Sequence, residues 1–245
     1  MKVCGVTDIG CHRKDNQDSY ALRQLTQDMA LLVVCDGMGG AKAGSVASSV
    51  AVEAFTAAVE SALEAGIPED WRRLEQVLTD ACRQANERVY RLSRETPDYE
   101  GMGTTLVAAL VQPGSACLVH VGDSRGYVME NNSIHRATVD HSLVQLLVDR
   151  GEITPAQARV HPQKNLITRA LGVERHVECD VTWLEPGEGS RLLLCSDGLS
   201  NVLEDETILD LSGREEEPEL LCRTLLELTL ERDAPDNVTV VLAQL

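Results

Sequence analysis

Two kinds of hydrophobic pattern succeed one another along the chain. Apolar runs of strand length occur at residues 30–35, 104–111, 116–121, 127–130, 177–183, 191–195 and 238–245, several of them rich in Val and Leu. Helical spacing takes over at 45–65, through Val46, Val50, Ala54, Ala57, Ala58 and Ala62, and at 71–93, through Leu74, Val77, Leu78, Ala81, Ala85 and Val89. Later helices are expected at 205–211 and at 218–230, the second on Leu221, Leu225 and Leu228. The middle strands follow one another across short turns, Gln112-Pro113-Gly114 and Asn131-Asn132, which predicts hairpins and antiparallel sheet rather than strand–helix alternation. With helices grouped before and after, the order reads as an α+β layered sandwich, a single domain over 1–245. Residues 142–169 break the pattern with a short helix at 143–150, Gly151, a turn at Thr154-Pro155 and then His161-Pro162, and are expected to form a surface flap.

Charge narrows the functional classes. Lys and Arg number 22 against 39 Asp and Glu, a net charge of −17. Such a surface repels nucleic-acid phosphates and anionic lipid, so neither is an expected partner. With aromatics at 3%, the core must be built from Leu, Val, Ala and Ile. No apolar run reaches the ~18 residues of a membrane span. Met1-Lys2-Val3-Cys4 does not open a signal peptide, so a cytoplasmic protein without membrane insertion is expected. Of eight cysteines, Cys35, Cys117 and Cys195 sit in apolar runs and Cys82 and Cys222 in helical segments, with no Cys-x-x-Cys. They read as reduced thiols that pack as small hydrophobes.

The candidate chemistry lies in the aspartates. Asp36-Gly37 ends the run Leu31–Cys35, Asp197-Gly198 follows Leu192–Ser196, and Gly122-Asp123 follows Val119–Val121. Asp236-Asn237, by contrast, precedes an apolar run. In antiparallel pairing the end of one strand lies beside the start of its neighbour, so these four can converge on one edge of a sandwich. Carboxylates that close repel and raise each other's pKa unless a cation neutralises them, and hard oxygen ligands favour Mg²⁺ or Mn²⁺. An isolated Asp-Gly is often a hairpin turn. Here both pairs lead into helical sequence, which fits a metal site better.

Other phosphate motifs fail on inspection. The run Gly37-Met38-Gly39-Gly40-Ala41-Lys42 has a lysine at the third glycine position of a dinucleotide fingerprint. Gly39 and Gly44 have Walker spacing, but Ser45 stands where the lysine belongs. Cys82 and Arg88 match a thiol-phosphatase spacing, yet they lie mid-helix without glycines to cradle a phosphate. The small residues 37–44 read instead as a close backbone approach before a helix that begins at Ser45.

The chain resembles the metal-dependent serine/threonine phosphatases of the PP2C (PPM) type over nearly its whole length. The motifs run in order: Thr7-Asp8-Ile9-Gly10, Arg13, Asn16-Gln17-Asp18; Val34-Cys35-Asp36-Gly37-Met38-Gly39-Gly40; Gly103-Thr104-Thr105; Val121-Gly122-Asp123-Ser124-Arg125; Asp140-His141-Ser142; Cys195-Ser196-Asp197-Gly198-Leu199; and Asp236-Asn237-Val238-Thr239. The size and Met38 are similar to the stand-alone bacterial branch. The resemblance implies two antiparallel sheets flanked by helices on both sides. It implies that Asp36 bridges two Mn²⁺ or Mg²⁺ ions with the Gly37 carbonyl as a further ligand, and that Asp197 and Asp236 complete one shell. Asp18 then acts through water, Asp123 helps hold a weaker third ion, and Arg13 grips the phosphate. The implied reaction is hydrolysis of phosphoserine and phosphothreonine on proteins by a metal-activated water, with no protein nucleophile. Phosphorylated proteins are the implied partners, among them a membrane-anchored Ser/Thr kinase that the enzyme opposes, and a monomer is expected.

The chain departs from the family pattern in three places. Many animal relatives have glutamate at Gln17 and a histidine, proposed as general acid, at Met38; methionine cannot donate a proton, so the leaving alkoxide must be protonated by water or another group, with His12 and His141 near the motif residues. Asn201 stands where relatives often have an aspartate, and its uncharged amide predicts weaker binding of the third ion. Two other readings stay open: a phosphatase dedicated to a phosphorylated anti-sigma antagonist, and a catalytically inactive binding module, against which the retained Asp36, Asp197 and Asp236 argue.

Overall fold

Strand pairing organises the molecule around two antiparallel sheets. The computed structural model describes residues 1–245 except Ala41, Ala65 and Glu69. The first sheet takes β1 (Lys2–Asp8), β11 (Val238–Gln244), β10 (Arg191–Cys195), β7 (Arg125–Glu130) and β8 (Ser133–Arg136), in that spatial order. The second takes β2 (Asp18–Gln24), β3 (Ala30–Met38), β5 (Leu106–Gln112), β6 (Ser115–Val121) and β9 (Asp180–Leu184), with the short β4 (Gly103–Thr104) paired to the end of β3. Helices α1 (Ala43–Leu63) and α2 (Trp71–Glu95) cover the second sheet. The first is covered by α5 (Asp197–Ser200), α6 (Asp205–Arg214) and α7 (Pro218–Glu231). The small helices α3 (Leu143–Asp149) and α4 (Pro155–Arg159) belong to the flap.

Three apolar layers follow from the strand alternation. On β3, Leu31, Val33 and Cys35 face the α1–α2 layer while Ala30, Leu32 and Val34 face the other sheet, so both faces of this strand are buried. The seam between sheets is filled by aliphatics such as Val107, Leu118, Leu192, Leu194 and Val241, consistent with the scarcity of aromatics. Deleting one of these side chains costs about 2–5 kcal/mol, because a close-packed seam cannot collapse around the cavity.

The helix expected from Ser45 starts two residues earlier, at Ala43, and ends at Leu63; its expected terminus at Ala65 and the loop residue Ala41 lie outside the described residues. Its buried stripe is Ala47, Ala51, Phe55 and Val59, not the Val46/Val50/Ala54 stripe inferred from spacing. An alanine-rich helix is apolar nearly all round, so the bulk of Phe55 and Val59 decides which side turns inward. By length and composition α1 could cross a bilayer. Here Glu53 and Glu60 are exposed and the opposite side packs on β3 and α2. The strand expected from Val177 begins at Asp180, and the strand ending at Cys35 continues through Asp36 and Gly37 to Met38 because β4 pairs with it there. All eight cysteines are free, with the Sγ atoms of Cys4 and Cys222 2.9 Å apart in the α7 layer.

Candidate metal centre

At one rim of the sandwich, backbone geometry brings together carboxylates from both sheets. Asp18 opens β2 directly opposite Asp36 in β3. Asp197 is the first residue of α5, immediately beyond β10, and Asp236 precedes β11, the partner of β10. Asp123 lies in the turn that leaves β6.

Each support has a local cause. The carbonyl of Asp36 accepts from the Thr105 N–H and the Thr104 hydroxyl, both at 2.8 Å, and its own N–H donates to Thr105 Oγ1 at 2.9 Å. The Gly-Thr-Thr motif therefore clamps the backbone of the aspartate. Gly37 is needed because any Cβ there would collide with the carbonyl of Gly44, and its N–H donates to the Gln17 carbonyl at 3.0 Å. Asp18 is 8% exposed; Oδ2 accepts from the Ser196 and Thr239 hydroxyls, each at 2.7 Å, one from each neighbouring strand end. Asn237 secures the β1–β2 loop by donating to the carbonyls of Ile9 (2.9 Å) and Asp15 (3.1 Å) and accepting from the Gln17 N–H (2.8 Å). That loop carries Arg13, whose Nη2 donates to Asp236 Oδ2 at 2.6 Å.

The electrostatics are those of crowded, desolvated like charges. Burial, then the charges of Asp18, Asp197, Asp123 and Asp236, holds Asp36 well above the usual carboxylate range. Burial pushes Asp18 up to about 7 against the two hydroxyl hydrogen bonds. Asp197 goes up to about 6, through burial and then the charge of Asp236. Asp123 is raised by burial and then by Asp197. Asp18 Oδ1 and Asp197 Oδ1 are buried and have no hydrogen-bond partner among the described residues. Orphaned carboxylate oxygens aimed into a nest of like charges are what an oxygen-loving divalent cation satisfies, so this donor set fits Mg²⁺ or Mn²⁺.

The flap is tied down beside this cluster. Its two ends meet where Thr168 N–H donates to the His141 carbonyl at 2.8 Å, and Ser142 bridges Ile167. The His141 ring accepts from Gly122 N–H through Nδ1 at 3.1 Å and presents Nε2 to Asp180 Oδ2 at 3.3 Å. Arg169 crosses to Asp180 at 2.7 Å. His120 stacks on His141 with ring centroids 4.6 Å apart. His120, His141 and Asp180 could together reach one ion, but the Arg169 guanidinium already supplies the positive charge between His141 and Asp180. Both ring nitrogens of His141 are thus engaged, and His12 is exposed against Asp233 at 2.9 Å. Among the described residues no imidazole is hydrogen-bonded to the five clustered aspartates. Arg125, expected only as part of a motif, makes a fork-to-fork pair with Asp140 (2.7 and 3.0 Å) at the base of the flap.

Between the flap and α5–α6 runs a cleft of about 640 Å³ with Asp123 and Asp197 at one end. Lys164 lines it, and its charge favours ionised Asp197. Sequence reasoning missed Lys164; the available signal was that it is the one lysine of the insertion. Asn201, on the α5 wall, donates to Asp197 Oδ2 at 2.9 Å.

Fold and site together define a two-sheet sandwich with an acidic cation nest at its rim. Residues 12–226 match the Protein phosphatase 2C family, and the chain belongs to it. It is 42% identical over 244 residues to the serine/threonine protein phosphatase PstP of Mycobacterium tuberculosis; the match takes in 99% of this chain and spans 45% of that protein's length. It is 36% identical to the serine/threonine phosphatase stp of Listeria welshimeri, covering 97% of this chain and 93% of that one. The structure of the PstP catalytic domain in complex with two manganese ions superposes with a TM-score of 0.84 at 40% identity, over 99% of this chain and 97% of the other.

Proposed function

We propose that the chain is a single catalytic domain that hydrolyses phosphoserine and phosphothreonine monoesters on proteins with two bound Mn²⁺ or Mg²⁺ ions. The observation that carries the reading is Asp36, half-buried, raised by desolvation and then by four neighbouring carboxylates, two of which, Asp18 and Asp197, carry an orphaned oxygen. Asp36, the Gly37 carbonyl, Asp197 and Asp236 would hold the pair, with Asp18 as a more distant carboxylate of the set and Asp123 available to a third, weaker ion. When bound, the ions lower the pKa of water from ~15.7 towards neutrality and offset charge on the phosphoryl oxygens.

The chain's own residues supply position. The planar fork of Arg13, anchored by Asp236 and half exposed, offers paired donors to phosphate oxygens at the rim. Ser196 and Thr239, the hydroxyls nearest the cluster, are committed to Asp18, so they are not offered as nucleophiles. The cleft beneath the flap gives a polypeptide room to approach. The relatives named as serine/threonine phosphatases support protein substrates, and we infer that these include a membrane-anchored Ser/Thr kinase whose action the enzyme reverses. Eight free thiols fit a reducing cytoplasm.

The test is phosphate release from a phosphopeptide. Release should require Mn²⁺, stop in EDTA and return when metal is restored. Full turnover after exhaustive chelation would refute the two-ion reading.

A further inference from the structure

The outer face of α2 carries a groove that the catalytic reading leaves unused. Arg83, Glu87, Arg91 and Arg94 recur at helical spacing and line one wall, Arg175 and His176 line the other, and the enclosed volume is about 480 Å³. The groove is built rather than incidental. Asn86, buried at its floor, donates to the carbonyls of Glu174 and Arg175, both at 3.1 Å, and accepts from the Gly172 N–H at 2.9 Å, which fixes the second wall.

Its charge runs against that of the molecule. Four guanidinium groups face two carboxylates, Glu87 and Glu95, a local excess of +2 in a chain of −17. Arg83 has Asp80 as a partner at 2.7 Å, and Arg94 lies over the Tyr90 ring at 5.2 Å. Arg91 and Arg175 are exposed and make no ion pair among the described residues. The segment that forms its second wall follows in the chain on Leu171, which pairs with Thr104, and Thr104 holds the carbonyl of Asp36.

We propose that this groove docks a second phosphorylated residue of a polypeptide substrate whose first phosphoryl group sits at the carboxylate cluster. One phosphoryl group carries about −1.5 to −2 charge, for which Arg91 and Arg175, without ion-pair partners among the described residues, are the available counter-charges. Guanidinium forks donate to its oxygens in pairs. The substrate assignment rests on the proposed reaction, but the docking itself needs no cation. In EDTA the bare aspartate cluster repels phosphate, which leaves the groove and the rim cations Arg13 and Lys164 as places for a phosphopeptide, and the groove variant below tells them apart.

The experiment is fluorescence anisotropy on the full chain in EDTA with three labelled peptides: phosphorylated, unphosphorylated, and with glutamate at the phosphorylated position. The phosphopeptide should bind at least ~10-fold tighter than the other two, and Arg91→Glu/Arg175→Glu should weaken it at least ~10-fold, the scale of one charge-assisted contact. That variant should keep the wild-type circular dichroism and the Mn²⁺-dependent turnover of p-nitrophenyl phosphate. If it misfolds, Arg91→Gln/Arg175→Gln is read in the same way. The proposal fails if wild type and variant bind alike, if the glutamate peptide binds as well as the phosphopeptide, or if the wild type binds no phosphopeptide. Absence of Mn²⁺-dependent turnover in the wild type overturns the proposed reaction instead, and is read in a separate assay.

Discussion

Arg13 and Asp236, 223 positions apart in sequence, meet at 2.6 Å at the rim of the carboxylate cluster. The guanidinium therefore stands beside the nest with its direction fixed and part of its fork still open to solvent. Replacing Arg13 with Ala should lower kcat/KM for a phosphopeptide by about 10²-fold, the scale of a lost charge-assisted contact made in the transition state. An aryl phosphate, with its better leaving group, should suffer less. Arg13→Lys keeps the charge but not the fork and should rescue only part of the loss. Steady-state kinetics on both substrates checks each statement; an unchanged peptide kcat/KM in Arg13→Ala would remove the role assigned to it.

Asp36→Asn and Asp197→Asn should each lower kcat by at least ~10²-fold, because both remove charge that offsets the cations and orients them. Titration calorimetry with Mn²⁺ should show weakened binding in both. Metal-free Asp36→Asn should melt above metal-free wild type, since it relieves like-charge repulsion within the cluster.

The raised carboxylates also set the pH dependence of the metal-free protein. Asp18 titrates near 7 and Asp197 near 6 when folded, against 3.8 for an aspartate in an unfolded chain. Below pH ~4 both are protonated in the folded and unfolded states and add nothing to the pH dependence. Between ~4 and ~7 the folded state binds more protons than the unfolded one, so stability falls as pH rises through that window. In EDTA, Tm should drop by at least about 5 °C from pH 4.5 to 7.5. Mn²⁺ should reverse the trend at neutral pH, because it binds the ionised folded form. A melting series with and without metal measures both arms.

Asp180 joins the two ends of the flap through His141 and Arg169. Asp180→Ala should leave the core intact and loosen the flap. Limited proteolysis should then cut within residues 150–166 several-fold faster while the Tm changes little. A flap cut no faster than in wild type would show that the backbone bridge Ser142–Ile167 holds the ends alone.

Much of this architecture is legible along the chain, and the gaps have physical causes. Arg191–Cys195 is read to the residue because a central strand buried on both faces is a continuous apolar run. The strands β1, β2 and β8 escape notice because each lies at a sheet edge, where only part of the strand is buried and polar residues such as Lys2, Arg23 and His135 break the pattern. The aspartates are conspicuous as charges at the ends of apolar runs. Their supports are not, since Thr104, Thr105, Ser196 and Asn237 act through hydrogen bonds that only the folded register creates. Even Asp36 reads as lying after its strand, when pairing with β4 carries the strand past it.

Asp18 and Asp36 lie on one sheet, whereas Asp197 and Asp236 come from the other, and two hundred residues separate Asp36 from Asp236. At ~5–20 residues per second, a ribosome takes roughly 10–40 s to travel between them. During that interval the nascent polypeptide has only half a cage. The cation nest therefore closes only when both sheets are present, and a polypeptide that stops short of Asp236 holds an incomplete donor set.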